Sequence, residues 1–276
     1  MPMTEAGPLP EDGPALVAGV QLPAGKRIYG WDDDVADIEV PLAWVTNGPM
    51  AEAADPFLAL SAAHAETGLV PVLLSRDPQM GEEVTGEAFM LGGGADVGLV
   101  DAKSAETILA EGWHAGHDSL DPYLAEVRAP FQLEFPGLAE AESSRLPEAA
   151  LRAAVAAHEP AFLGLIAARR AADVPAAVGW TGFGVDSPAS PEARCLNVAA
   201  VLRSWETRFG ARPLRIGADM ILRVLVDRPP STFEAAIRVA AEHLAFGDEY
   251  GSYSGQPISE LAAELVGKPV WHFWWD

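Results

Sequence analysis

Residues 197–246 read NVAAVLRSWETRFGARPLRIGADMILRVLVDRPPSTFEAAIRVAAEHLAF. This stretch holds a helix, a hairpin and a second helix. Val198, Val201, Leu202, Trp205 and Phe209 recur at i, i+3, i+4, i+7 and i+11, the spacing of one helical face. Asn197 stands where an N-cap is needed and Gly210 where the helix must stop. The apolar runs 214–216 and 220–226 flank Gly217-Ala218-Asp219, which predicts a hairpin closed off by Pro229-Pro230. Ser231-Thr232-Phe233-Glu234 has the form of a capping box, with Ser231 as the cap and Glu234 reaching back. The helix it opens runs to about Phe246, with Ile237, Ala241 and Leu244 on one face.

Working outward, residues 162–168 read as a buried strand and 258–266 as a helix. The chain ends Val270-Trp271-His272-Phe273-Trp274-Trp275, a strand too aromatic to dangle in water. The order strand, helix, hairpin, helix, helix, strand predicts an α+β fold with helices packed on a mainly antiparallel sheet. In the first half the clearest strand is 69–75, where Pro71 argues for the strand's start or a sheet edge. Residues 38–45 form a weaker strand candidate, 56–67 a short helix, and 104–111 a helix capped by Ser104. Residues 1–12 read as a disordered leader, 13–135 as an acidic N-terminal α/β domain, 136–150 as a linker or long loop, and 151–276 as a C-terminal α+β domain.

The charge is uneven. The formal net charge is −22, and residues 1–150 carry 6 Lys and Arg against 26 Asp and Glu, while 151–276 carry 12 against 14. So acidic a surface repels phosphate backbones and anionic lipids, which argues against nucleic-acid and membrane partners and favours a basic protein. No run of about 18 apolar residues exists, so no transmembrane helix is expected. The N-terminus lacks the basic and apolar regions of a secretory signal, and the one cysteine, Cys195, suits a reducing cytoplasm.

Few residues assemble into a catalytic pattern. His114, His117 and Asp118 have the ligand types for zinc, though H-x-x-H with a glycine between is equally the sequence of an exposed loop. Asp32, Asp33 and Asp34 lack the alternate spacing of a calcium loop and read as a solvated acidic turn, open to a basic partner. Trp113, beside the histidines, is a candidate partner contact. Glu242 and His243 are sequence neighbours about 100° apart on a helix, so they cannot serve one site together. His243, Trp205 and Trp274 are expected to be structural, and His272 to share a packed sheet face with Trp274. Gly92-Gly93-Gly94 lacks the Lys-Ser/Thr of a phosphate loop, and Gly251 to Gly255 has Tyr253 where a nucleophile elbow needs serine.

The second half resembles the DUF4253 family of uncharacterised bacterial proteins. The resemblance rests on Val201-Leu202-Arg203-Ser204-Trp205-Glu206, Arg208 to Ala211, Arg228-Pro229-Pro230, residues 240–246 and the terminal Phe273-Trp274-Trp275-Asp276. Where the family pattern carries Cys-Pro-Asp after Phe246, this chain reads Gly247-Asp248-Glu249. The resemblance implies a fold and a bacterial cytosolic setting, and no activity. Charge and motifs together lead to the expectation of a non-catalytic interaction protein, immunity- or antitoxin-like, that meets a basic partner through its acidic half. The alternative expectation is a metal-binding enzyme built on His114, His117 and Asp118.

Overall fold

The computed structural model describes residues 6–30, 40–114, 126–182, 190–248 and 256–275. Its strands are β1 (Gly13–Val17), β2 (Val20–Tyr29), β3 (Pro41–Thr46), β4 (Leu69–Ser75), β5 (Phe162–Ala167), β6 (Ala211–Gly217), β7 (Ile221–Val226) and β8 (Val270–Trp274). The helices are α1 (Ala54–Ala62), α2 (His64–Thr67), α3 (Ala105–His114), α4 (Glu148–Ala156), α5 (Val174–Ala177), α6 (Pro191–Phe209), α7 (Phe233–Asp248) and α8 (Ile258–Leu265). The strands form one eight-stranded sheet in the order β1-β2-β3-β5-β4-β6-β7-β8. Every pairing is antiparallel except β4 with β6, so the α+β class and the mainly antiparallel sheet stand.

The sheet crosses the charge boundary. β5, from the second half, lies between β3 and β4, and β4 in turn lies between β5 and β6. Period-2 alternation sorts each strand's side chains between two cores. Val70, Val72 and Leu74 of β4 join Ile166, Ile216 and Val224 in a larger core with α3, α6, α7 and α8. Leu69 and Leu73 join Trp44, Leu163, Leu165 and Leu225 in a smaller core under α1 and α4. Residues buried on both faces must be apolar throughout, which is why β4 reads as a continuous apolar run. Pro71 does not make β4 an edge: β6 pairs only with Leu73 to Ser75, so at Pro71 the strand has β5 as its one neighbour and loses no ladder bond.

Two caps differ from the expected ones. α6 starts at Pro191, six residues before Asn197, because Ser190 accepts from Ala193 N at 3.2 Å and Pro191 fits the first turn. Asn197 lies within the helix, where it accepts from Lys103 Nζ at 2.8 Å. In α7 the cap is Thr232, whose hydroxyl accepts from Ala235 N at 3.2 Å, while Ser231 binds Glu142 instead. Gly210 does end α6, at φ 63°, and the hairpin turns at Gly217 to Met220 as the sequence predicts.

Residues 136–147 run without helix or strand and are tied down along their length. Glu142 N donates to Arg208 O at 3.2 Å and Leu146 N to Asp227 O at 2.8 Å. This segment, expected to be a linker or long loop, is held against α6 and the residue that follows β7.

Candidate functional site

α3 forms where Ser104 accepts from Thr107 N at 3.2 Å, and it buries Ile108, Leu109, Gly112 and Trp113. Its other face puts Glu106, Thr107, Glu111 and His114 in solvent. The turn before it exposes Asp96 and Asp101. The 136–142 segment crosses beside the helix: a Cβ on Gly137 would lie 3.7 Å from Glu106 Oε1. Between that segment and the start of α7 lies a groove of about 610 Å³, lined by Leu138, Glu140, Ala141, Glu142, Glu234 and Arg238. Arg238 Nη1 is held by Pro136 O at 2.6 Å. Phe233, next to Glu234, leaves 49% of its surface exposed. Exposed carboxylates from three separate segments, Glu106, Glu140 and Glu234, thus lie on neighbouring stretches of this surface. A surface of this charge suits a protein partner rich in Lys and Arg.

Buried charges elsewhere are spent on holding the fold. Glu242 is fully buried on α7. Arg208 grips it with Nη1 to Oε1 at 2.7 Å and Nη2 to Oε2 at 2.6 Å. Trp205 Nε1 donates to Oε2 at 2.7 Å and Ala139 N to Oε1 at 2.6 Å. All strong acceptor sites of this carboxylate are thereby used, which ties α6, α7 and the crossing segment together. Asp173, 1% exposed, is held in the same way by Arg203, with Nε to Oδ1 at 2.5 Å and Nη2 to Oδ2 at 3.0 Å. Arg203 also reaches Asp101 at 2.5 Å.

The tryptophans largely form the core. Trp205 is fully buried and touches His243, Phe246, Trp271 and Phe273, with ring centroids 5.2–5.4 Å apart. His243 is buried among Trp205, Trp271 and Phe273, and its Nε2 has no hydrogen-bond partner among the described residues. Burial, with Lys268 adding to it, pushes its pKa down to about 3. Its packing is aromatic rather than hydrogen-bonded at that nitrogen. Cys195 is buried with Sγ 3.0 Å from Trp180 O, and burial pushes its thiol up to about 12, so it is no nucleophile at neutral pH.

The sequence candidates meet mixed outcomes. Trp113 is fully buried, 4.8 Å beneath the Arg128 guanidinium and against Phe135, so its ring is no contact surface. Trp274 is 45% exposed and His272 is exposed beside it. The expectation of a packed face there had the register reversed: Trp271, Phe273 and Trp275 turn to the core. His114 sits exposed at the end of α3. His117, Asp118, Asp32, Asp33 and Asp34 lie outside the described residues. Among the described residues no group of three His, Cys, Asp or Glu side chains is placed to hold a metal ion, and no helix is long and apolar enough to cross a membrane. Glu106 and Glu140 were not singled out from sequence, where the charge excess of the first half was their one signal; Glu234 was read as a capping-box residue, and only the tertiary fold brings it beside Glu140.

No curated protein and no solved structure matches this chain. One family model does match, that of DUF4253, a domain of unknown function, and it covers residues 162–276, the C-terminal part of the chain from the first residue of β5 onward.

Proposed function

We propose that this chain is a non-catalytic interaction protein that binds a basic protein partner, in the manner of immunity or antitoxin proteins, in a reducing cytoplasm. The observation that carries the reading is the set of exposed carboxylates on three neighbouring segments, Glu106, Glu140 and Glu234, with Phe233 exposed at the start of α7. The two deeply buried carboxylates, on Glu242 and Asp173, support it, since both are consumed by arginine pairs that hold elements together. The buried thiol of Cys195 points the same way. An acidic face of this kind discourages nucleic acid and anionic membrane.

The test is affinity capture on the purified chain at low and at high salt, beside a Glu106→Lys/Glu140→Lys/Glu234→Lys variant. The reading expects a stoichiometric basic protein, released as salt shortens the Debye length from about 10 Å at 0.1 M toward 3 Å at 1 M. Charge reversal should weaken the complex by about tenfold or more. A partner held equally by the variant, or indifferent to salt, would overturn the acidic-face reading. Phe233→Ala separates the apolar contribution: it should speed dissociation at every salt concentration.

A further inference from the structure

The face of the sheet opposite the aromatic core carries an unusual row. Arg215 on β6 is directly opposite Arg223 on β7, and Arg223 is directly opposite His272 on β8. His158, just past the end of α4, closes the group: Arg223 Nη1 donates to its Nδ1 at 3.1 Å. Because the guanidinium can only donate, Nδ1 is the acceptor and the ring's proton sits on Nε2. Like charges directly opposite on a sheet destabilise it.

Compensation within the chain is incomplete. Asp219, in the β6–β7 turn, is the nearby carboxylate, and each of its oxygens already accepts one hydrogen bond. Oδ2 accepts from Arg215 Nη2 at 2.9 Å, and Oδ1 accepts from the Ser75 hydroxyl. Glu159, next to His158, is turned away to cap α1, accepting from Ala53 N at 2.5 Å and Ala54 N at 2.7 Å. Lys268 adds a further cation, paired to Glu264 at 3.7 Å. The carbonyls ending α4 bring only a partial negative charge. No ion pair joins Arg223 to a carboxylate among the described residues.

The consequences show in the titration of the group. Burial and then Arg223, Arg215 and His272 push His158 down to about 4. Burial and then Arg223 and Lys268 lower His272. Burial and then Arg215 lower Arg223 itself. Burial is the largest cause of all three shifts; the neighbouring cations add to it, and Asp219 offsets part of it at Arg223 and His272. Two residues beyond His272, on the same strand face, Trp274 leaves nearly half its surface exposed beside Ile221.

We propose that Arg223, His272 and His158 form a binding site for a small oxyanion carried on a flat apolar group, with Arg215 behind them and Trp274 as the platform. The guanidinium of Arg223 supplies a planar fork of donors, His158 Nε2–H and His272 supply two more, and the exposed indole takes the planar group. The site lies on the second half's sheet face and is independent of the acidic surface around α3, so either can fail without the other.

Calorimetric titration of the full chain at constant ionic strength tests it, with inorganic phosphate, phenyl phosphate and benzoate as probes. Saturable binding of phenyl phosphate or benzoate, tighter than that of inorganic phosphate, is the expected result. The tighter of the two organic probes tells a phosphate source from a carboxylate source. Arg223→Gln should weaken binding at least tenfold, and Trp274→Ala should bring phenyl phosphate down to the affinity of inorganic phosphate. Arg223→Gln removes a like-charge opposition and leaves Asp219 paired, so it should fold, which its circular dichroism would verify. His272→Ala, at an exposed position, gives a second variant that should also weaken binding. No saturable binding of any probe, or binding unchanged in Arg223→Gln, overturns the site.

Discussion

At the scale of single residues, burial decides what each charged or reactive group can do. Glu242 has traded water for two guanidinium contacts, an indole N–H and a backbone N–H. Removing one partner leaves a buried charge uncompensated. Arg208→Met should therefore cost about 3–5 kcal/mol in urea unfolding, and the double replacement with Glu242→Gln should cost less than the two single changes added together. His243 makes a pH prediction. Its folded pKa of about 3 lies below the ordinary 6.5. Above 6.5 neither folded nor unfolded chain holds the proton, and its contribution to stability is complete. Between 6.5 and about 3 the unfolded chain takes up a proton that the folded chain refuses, so stability falls as pH falls, by about 1.4 kcal/mol for each pH unit. Urea midpoints measured from pH 7 to pH 4.5 should decline less steeply in His243→Phe. Cys195 should resist a thiol reagent at pH 8 in the folded chain and react at once in denaturant. Fast labelling of the native protein would contradict its burial.

Among the elements, caps and register carry the information. Thr232, not Ser231, satisfies a free N–H in the first turn of α7, that of Ala235. Thr232→Ala should cost about 1 kcal/mol and Ser231→Ala distinctly less, by thermal or urea unfolding. The capping-box pattern was read one residue early because both hydroxyl residues precede an acidic one. The choice between them depends on Glu142, which comes from 89 positions away and binds Ser231. β8 shows the same limit. Its alternation was legible, but not which set of side chains faces inward, because a one-residue change of register turns every side chain to the other face. The inward choice of Trp271 and Phe273 follows from Trp205, His243 and Phe246, which α6 and α7 bring over that face.

For the whole molecule, the interleaving of β5 and β4 has the largest consequence. The DUF4253 match begins at β5, yet β5 and β6 are separated by β4, which comes from the other half of the chain. A 160–276 fragment would leave β5 without either neighbour, expose the β4 side of β6 and lose Leu69, Val70, Val72, Leu73 and Leu74 from both cores. It should not unfold cooperatively in urea on its own, and adding a 1–159 fragment should restore a cooperative transition. The sequence by itself determined the α+β class, the run of strand, helix, hairpin, helix, helix and strand in the second half, and the concentration of negative charge in the first. These follow from local periodicity, turn chemistry and composition. Only the tertiary structure decided that one sheet spans both halves, that Trp113 is buried and Trp274 exposed, and that Glu106, Glu140 and Glu234 lie on neighbouring segments while Arg223, His158 and His272 meet on one face of the sheet. The physical reason is that strand order, and the side of the sheet on which each helix packs, are set by contacts between residues far apart in the chain, which local periodicity cannot encode.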